Sequence, residues 1–495
     1  MRGSGKGALL LALVAAGAAA GAPHAAAQGV RGSAQTVVRY FELRPILQDT
    51  VSRSRVTPAA DSSFTFEGFP AYCVAAESCI YYRPRDVDHQ VAATQDVSFT
   101  AWGLGVQGLS GTVQVRGRAN SGRDFVTPRP RDNHFDAVLA YLELNRAGYR
   151  LRAGRQQLLS GLGTTAFDGL DALWEPRAGL RLQAFAGRGL TPGLNEPRSE
   201  VLRGVEDYFF LSDDLTLLVG GQLAYQPRAR EGLTLRYQRE AFANRSGLLT
   251  ERASLSGHSA RLRPVLLSGE ADYDVAFGRV GKAHLRAQVP LPRQRATLEV
   301  TARRYLPYFE LWTIWGYFSP VAYREGELRA SWAPSSALNL WASAGYRAYD
   351  ETDAPIIVEP LRDEAGRGGV GGHWALSERL AVNGAYTVEG PAGAFVSSGQ
   401  TTLTWQHSQR LALSLHGLAF QQIEEYRAGN QVVFGGGGSV DAELNERTRL
   451  SGGLDLYRQS IDNRPETPDW NQTRGWLMLQ VEFGRDPGFA RGDGR

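Results

Sequence analysis

The sequence predicts an all-β protein, a single large antiparallel transmembrane β-barrel of about 18–22 strands. Three observations predict it. Short segments of period two recur between Val37 and Phe483, each near the ~10 residues of a tilted membrane-crossing strand. Within them Leu, Val and Ala hold one phase, while Arg, Glu and Gln hold the other. Past Ala27 no apolar run approaches the ~20 residues of a spanning helix, and the longest uncharged aromatic run, Leu311–Tyr323, is broken by Pro320.

The first element is an export signal. Arg2 and Lys6 precede an apolar stretch from Ala8 to Ala22, and Ala25 and Ala27 form an A-x-A cleavage site. Residues 1–27 therefore read as a signal peptide, with an N-terminal anchor as the alternative. No cysteine near the cut argues for a lipoprotein. Removing Arg2 and Lys6 takes Lys+Arg from 54 to 52 against 51 acids, so the mature chain carries about +1. Nothing in that balance suggests a polyanion-binding tail, and no nucleic-acid partner is expected.

Residues 28–485 are expected to form the barrel, with 486–495 a disordered tail. Within it, residues 48–95 break the rhythm and hold the two cysteines, Cys73 and Cys79, in "CVAAESC". This region is a long loop, a folded insert or a plug. A disulfide suits an exported chain, with two buried thiols as the alternative. No histidine lies between the cysteines, so no metal site is expected.

The strands follow. Val113 and Val115 oppose Gln114, Arg116 and Arg118; Leu142 and Leu144 oppose Tyr141 and Glu143. Tyr149, Leu151 and Ala153 oppose Arg150 and Arg152, and Leu182 and Ala184 oppose Arg181 and Gln183. Leu233, Leu235 and Tyr237 oppose Thr234, Arg236 and Gln238; Leu298, Val300 and Ala302 oppose Glu299, Thr301 and Arg303. Leu477, Leu479, Val481 and Phe483 oppose Met478, Gln480 and Glu482. Arg155 alone falls on the apolar phase of its segment, which predicts a bulge or a rim position there. Tight connections such as 146–148 and 333–336 contrast with long ones at 190–206, 350–367 and 460–474. That contrast predicts turns at one rim and loops at the other.

A soluble sandwich would also tolerate this periodicity, whereas a propeller requires a repeat that is missing. Aromatics at segment ends, namely Trp174, Tyr225, Trp332, Tyr349, Trp405 and Tyr457, favour interfacial girdles. Seven arginines facing lipid would together cost roughly 14–28 kcal/mol, more than the ~5–15 kcal/mol stability of a domain. They must face water.

Residues 134–190 contain a strand ending in Gly154-Arg155-Gln156, a short Gly-containing stretch, and Phe167-Asp168-Gly169 opening the next strand pair. This stretch resembles the alginate-export family of outer-membrane barrels. The resemblance implies a wide channel lined with Arg and acids, an electropositive constriction, outward passage of anionic polysaccharide, and no cofactor. The Cys73–Cys79 region and the tail after Phe483 lie outside the family's pattern.

The expected function is an outer-membrane channel or exporter that passes polar solutes, anionic ones included, or polysaccharide by passive diffusion. The pore-lining candidates are Arg116, Arg118, Glu143, Arg150, Arg152, Arg181, Arg236, Glu299 and Arg303. The alternative is a closed barrel serving as a binding, adhesion or structural module. Expected partners are outer-membrane lipids, the barrel-assembly machinery, and the anionic solute or polysaccharide, in the bacterial outer membrane. Two readings of the Arg-rich face remain: an anion-attracting lumen, or a mixed wall in which Arg pairs with Glu143, Glu299 and Asp272. The aromatic stretch 305–323 is a sugar slide, or else a girdle or folded loop, and "GGGG" at 435–438 marks a kink or a close approach. Catalysis is not expected. His258–Ser259 and His407–Ser408 are adjacent in strands, so each pair points to opposite faces. No metal-ligating spacing occurs.

Overall fold

A computed structural model describes residues 29–43, 46–58, 64–67, 69–73, 77–84, 86–122, 135–190, 215–244, 246–306, 322–350, 363–390, 395–423, 430–461 and 470–485. The wall begins with β1 (Gly29–Leu43). A small insert follows: β2 (Ile46–Ser52), β3 (Thr57–Pro58), β4 (Phe64–Phe66), β5 (Phe69–Cys73) and β6 (Ser78–Pro84). The wall resumes with β7 (Asp88–Trp102), β8 (Leu109–Gly122), β9 (Phe135–Arg146), β10 (Tyr149–Ser160), β11 (Gly163–Arg177), β12 (Leu180–Leu190) and β13 (Thr216–Arg228). It continues through β14 (Glu231–Phe242), β15 (Leu248–Ser259), β16 (Leu266–Asp274), β17 (Arg279–Leu291), β18 (Ala296–Tyr305), β19 (Tyr323–Trp332) and β20 (Leu338–Tyr349). It ends with β21 (Glu364–Ala375), β22 (Leu380–Gly390), β23 (Phe395–Ser408), β24 (Leu411–Ile423), β25 (Gln431–Asn445), β26 (Thr448–Ile461) and β27 (Trp470–Arg485).

From β7 to β27 each strand pairs antiparallel with its neighbours in the chain, and β1 joins β27 to β7. The result is a closed ring of 22 strands, the upper end of the expected range. Closure satisfies the backbone ladder without a free edge, which hydrocarbon demands. At ~4.8 Å between strands and a tilt near 40°, the backbone ring is roughly 40 Å across.

The connections sort by rim. At one rim they are as tight as 147–148, 178–179, 229–230, 409–410 and 446–447, and none exceeds the lengths of 103–108 and 260–265. At the other lie the insert and the strand ends that bound the longer connections: Gly122 and Phe135, Leu190 and Thr216, Tyr305 and Tyr323, Tyr349 and Glu364. Short turns mark the periplasmic rim and long loops the extracellular one. The calls on 191–206, 351–362, 462–469, the tail 486–495 and the signal peptide lie outside the described residues, as does most of the aromatic stretch 305–323.

The outward face is apolar. Leu142, Leu235, Leu285, Val300, Leu415 and Leu477 are all exposed. Aromatics border this band. Tyr149, Trp174, Tyr225, Trp332, Trp374 and Trp405 lie exposed near the short-turn rim, and Tyr237, Tyr273, Tyr346, Tyr386, Phe395 and Phe434 nearer the other. On β23, Phe395 and Trp405 are ten residues apart, about 34 Å along the strand and roughly 25 Å along the barrel axis. That is the height of an outer-membrane hydrocarbon band. Soluble monomers rarely expose patches beyond roughly 300–600 Å². The chain is an outer-membrane barrel. Two of the expected girdle residues differ: Tyr349 and Tyr457 occupy the polar phase and pack with Arg347 and Arg474 inside the wall.

The region expected to break the rhythm over 48–95 is an ordered sheet confined between Leu43 and Asp88, and residues 88–95 belong to β7. Its order is β2-β6-β5-β4-β3. β2 and β6 prolong the β1–β7 ribbon: Leu43 pairs with Asp88, then Ile46 with Pro84. The sheet packs on a core of its own, with Val51, Ala71, Cys79 and Tyr81 buried against Phe64, Phe66 and Phe69. Cys73 and Cys79 are cross-strand partners and form a disulfide. Asp49 in this insert accepts a bond from the Thr50 backbone N–H (2.9 Å) and another from Arg83 (3.2 Å). The Thr50 N–H and Arg83 hold its carboxyl below the usual range. A Cys73→Ser, Cys79→Ser variant is expected to lose roughly 2 kcal/mol of local stability. Limited proteolysis should then cut within 44–87 and leave the barrel whole; equal resistance in both forms would refute a stabilising role for the bridge.

Candidate pore

Period-two strands place opposite charges side by side on the inner face, and register turns them into pairs. Arg116 faces Asp96 at 2.9 Å, Arg118 meets Asp136 at 2.9 Å, and Arg152 faces Glu143 at 2.5 Å. Arg150 reaches Asp171 at 3.1 Å, Arg252 reaches Asp272 at 3.3 Å, and Arg286 reaches Glu299 at 2.8 Å. The densest cluster spans β18–β22. Buried Glu325 holds Arg347 and Arg367, each at 2.7 Å, and Arg303 at 3.8 Å, while Glu389 takes the same Arg347 (2.6 Å) and Arg367 (2.8 Å). Forked guanidiniums suit such shared carboxylates.

The candidates therefore divide. Arg116, Arg118, Arg150, Arg152 and Arg303 each stand against an acid, and Glu143 and Glu299 are acids of such pairs. Arg181 pairs with Glu175 beside the short-turn rim, well exposed. Arg236 differs. It is 3% exposed, its guanidinium lies over the Phe185 ring at 5.2 Å, and its Nε and Nη2 have no hydrogen-bond partner.

Two arginines that sequence reasoning passed over share this arrangement. Arg329 lies 4.2 Å over Trp341, and Arg474 lies 4.9 Å over Tyr457. In each case the ring rests on a glycine of the adjoining strand. A Cβ at Gly371 would meet the Trp341 indole at 2.7 Å, one at Gly435 the Tyr457 ring at 2.6 Å, and one at Gly220 the Phe185 ring at 2.4 Å. Such cation–π contacts contribute about 0.5–2 kcal/mol each without cancelling the charge. Among the described residues none of these three arginines has a carboxylate at ion-pair distance. The available signal was an aromatic on the polar phase, as at Trp341 and Tyr457, with a glycine elsewhere in the chain to seat it.

The stretch from Gly154 to Gly169 brings glycines of three strands together. Gly154 pairs with Gly169, and Gly169 with Gly187, in one row across β10–β12. A Cβ at Gly154, Gly169 or Gly187 would meet backbone at 2.3, 2.1 and 2.4 Å, so only hydrogen fits. Beyond that row the β10–β11 tip folds over the inner wall. Leu158 and Phe167 pack with Phe185 and Leu218. Thr165 donates to Gln238 of β14 (2.9 Å), and Arg252 of β15 donates to the Leu162 carbonyl (3.0 Å). Partners three and four strands away meet only across the concave side. Arg155 stays on the outer side of the bend, forked onto Asp168 at 2.7 and 2.8 Å, which accounts for its position on the apolar phase.

The glycine run serves close approach. Gly437 lies beneath the bond from His416 to Asp455 (2.7 Å). His258 packs on Gly232 and His407 edge-on against Trp405. Among the described residues no group of three or more His, Cys, Asp or Glu could hold a metal.

No family model and no curated protein sequence matches the chain. Solved structures to which the chain is similar at low identity include three bacterial proteins. The siderophore receptor PirA from Pseudomonas aeruginosa is 13% identical, with 92% of this chain and 80% of that one covered and a TM-score of 0.44. OccAB3 from Acinetobacter baumannii is 9% identical, covering 92% and 99%, with a TM-score of 0.40. OpdK from Pseudomonas aeruginosa, solved with vanillate, is 11% identical, covering 92% and 99%, with a TM-score of 0.39. The apolar exterior, the ion-paired interior and the closed ladder together make this chain an outer-membrane β-barrel of 22 strands.

Proposed function

We propose that the barrel is a passive, non-enzymatic channel that prefers anionic solutes, including carboxylated polysaccharide, in the manner of the alginate-export barrels its motif resembles. One observation carries this reading: most of the inner charge is held in contact ion pairs, whereas Arg236, Arg329 and Arg474 rest on aromatic rings, with the nearest acids, such as Glu299 opposite Arg329 and Asp455 opposite Arg474, beyond ion-pair distance. An anion meeting Arg329 and Arg474 in turn is held weakly at separate places, which permits conduction. No cofactor enters this scheme. Insertion is assigned to the barrel-assembly machinery, with β27 as the closing strand and the outer-membrane lipids as solvent for the apolar face.

The test is conductance in planar bilayers under a KCl gradient. The expected result is a large ohmic current whose reversal potential favours chloride. A cation-selective current would refute the anion preference. A sealed barrel would favour the second reading, in which the separately cored insert on the extracellular rim binds a partner.

A further inference from the structure

The outer wall carries a groove unrelated to the lumen. On β18 and β19, Arg304 and Arg324 are directly opposite each other on the outward phase. One step toward the short-turn rim lie Ala302 and Gly326, flanked by Leu285 and Tyr346. These residues line the outward side of a shallow, open depression of about 520 Å³, whose lining also takes in Glu270 of β16 and His284, Arg303 and Glu325 of the same strands. The two small residues make its floor. A Cβ at Gly326 would meet nothing within 4 Å, so the space is open and not demanded by the backbone.

Among the described residues the charges above the floor have one acid within ion-pair distance between them, the next, Glu364, being engaged by the Tyr346 hydroxyl. Like charges directly opposite on a sheet destabilise it. Asp350 is the acid they share, at 3.5 Å from Arg304 and 3.8 Å from Arg324, both at the long end of ion-pair contact. Arg304 Nε is buried with no hydrogen-bond partner. Arg324 is eight residues from Trp332 on the same strand, which puts the guanidiniums about 20 Å above the lower girdle, near the top of the apolar band. That is the depth of a headgroup.

We propose that this groove binds a phosphorylated acyl lipid of the extracellular leaflet, with a chain lying over Ala302 and Gly326 and the phosphate bridging Arg304 and Arg324. A phosphate oxygen pair matches two guanidinium forks better than one distant carboxylate does.

Native mass spectrometry of the detergent-purified full barrel tests this, with phosphatidic acid and phosphatidylcholine of identical chains titrated separately. Phosphatidic acid is expected to be retained about ten-fold better. Arg304→Gln with Arg324→Gln should abolish the preference, and so should Gly326→Leu, which keeps both charges but fills the floor. Heat-modifiable migration verifies each variant's fold, and Arg324→Gln alone, at a well-exposed side chain, is the fallback if the double variant fails to assemble. Equal retention of the two lipids, or a preference untouched by these variants, overturns the proposal. So does displacement of phosphatidic acid by millimolar inorganic phosphate with Gly326→Leu still binding, which would mark a free-anion site.

Discussion

Arg329→Gln combined with Arg474→Gln is expected to remove most of the anion preference without closing the pore. A unit charge at 4 Å is worth about 1 kcal/mol in water, about five-fold in an equilibrium, and is screened over ~10 Å at 0.1 M salt, so losing two charges that lack a contact ion pair should lower the chloride-to-potassium permeability ratio by at least about five-fold. Glutamate at both positions should invert the sign of the reversal potential. The control is a neutralised pair, Arg116→Gln with Asp96→Asn, whose charges already cancel at 2.9 Å and whose loss should leave selectivity in place. If the paired control shifts selectivity as much as the Arg329/Arg474 variant does, the aromatic-backed arginines have no special standing. Raising the salt should shrink the difference, because screening acts on free charge more than on contact pairs.

Gly169→Val should cost the protein its fold. The new Cβ would lie 2.1 Å from the Ala186 carbonyl oxygen and 2.5 Å from the Gly187 Cα, and no rotamer moves a Cβ. Relief would require unbending β10–β12, which exposes Leu158 and Phe167 and breaks the Thr165–Gln238 and Arg252–Leu162 bonds. The expected cost exceeds about 4 kcal/mol, in the range reserved for large steric or packing defects. The measurement is the heat-modifiable fraction after refolding into detergent, with Gly326→Ala as the tolerated glycine control. A Gly169→Val barrel that refolds like wild type would show that the inward tip is not anchored by this row.

Much of the molecule was legible in advance, and the reason is locality. Alternation within β8, β10, β14 and β18 assigned each side chain to lipid or water without knowledge of any partner strand. The short and long connections declared the two rims in the same way. A paired wall around Glu143, Glu299 and Asp272 was one of the two readings open to the sequence, because such pairs involve adjacent strands, but that Arg286 meets Glu299 and Arg252 meets Asp272 was visible only in the fold. Tyr349 and Tyr457 went astray because proximity to a strand end says nothing about the face an aromatic occupies.

By itself, then, the sequence determined the all-β barrel, its two-faced wall, the approximate strand number and the existence of a cysteine-bearing interruption. Tertiary structure alone decided closure through β1, the rooting of the insert on the β1–β7 ribbon, the inward tip, and which arginines rest on rings and not in contact ion pairs. Those features depend on which glycine falls beside which ring or ladder. Register between strands sets that pairing, and it joins residues as distant as Arg39 and Trp476, a separation over which no periodicity in the chain carries information.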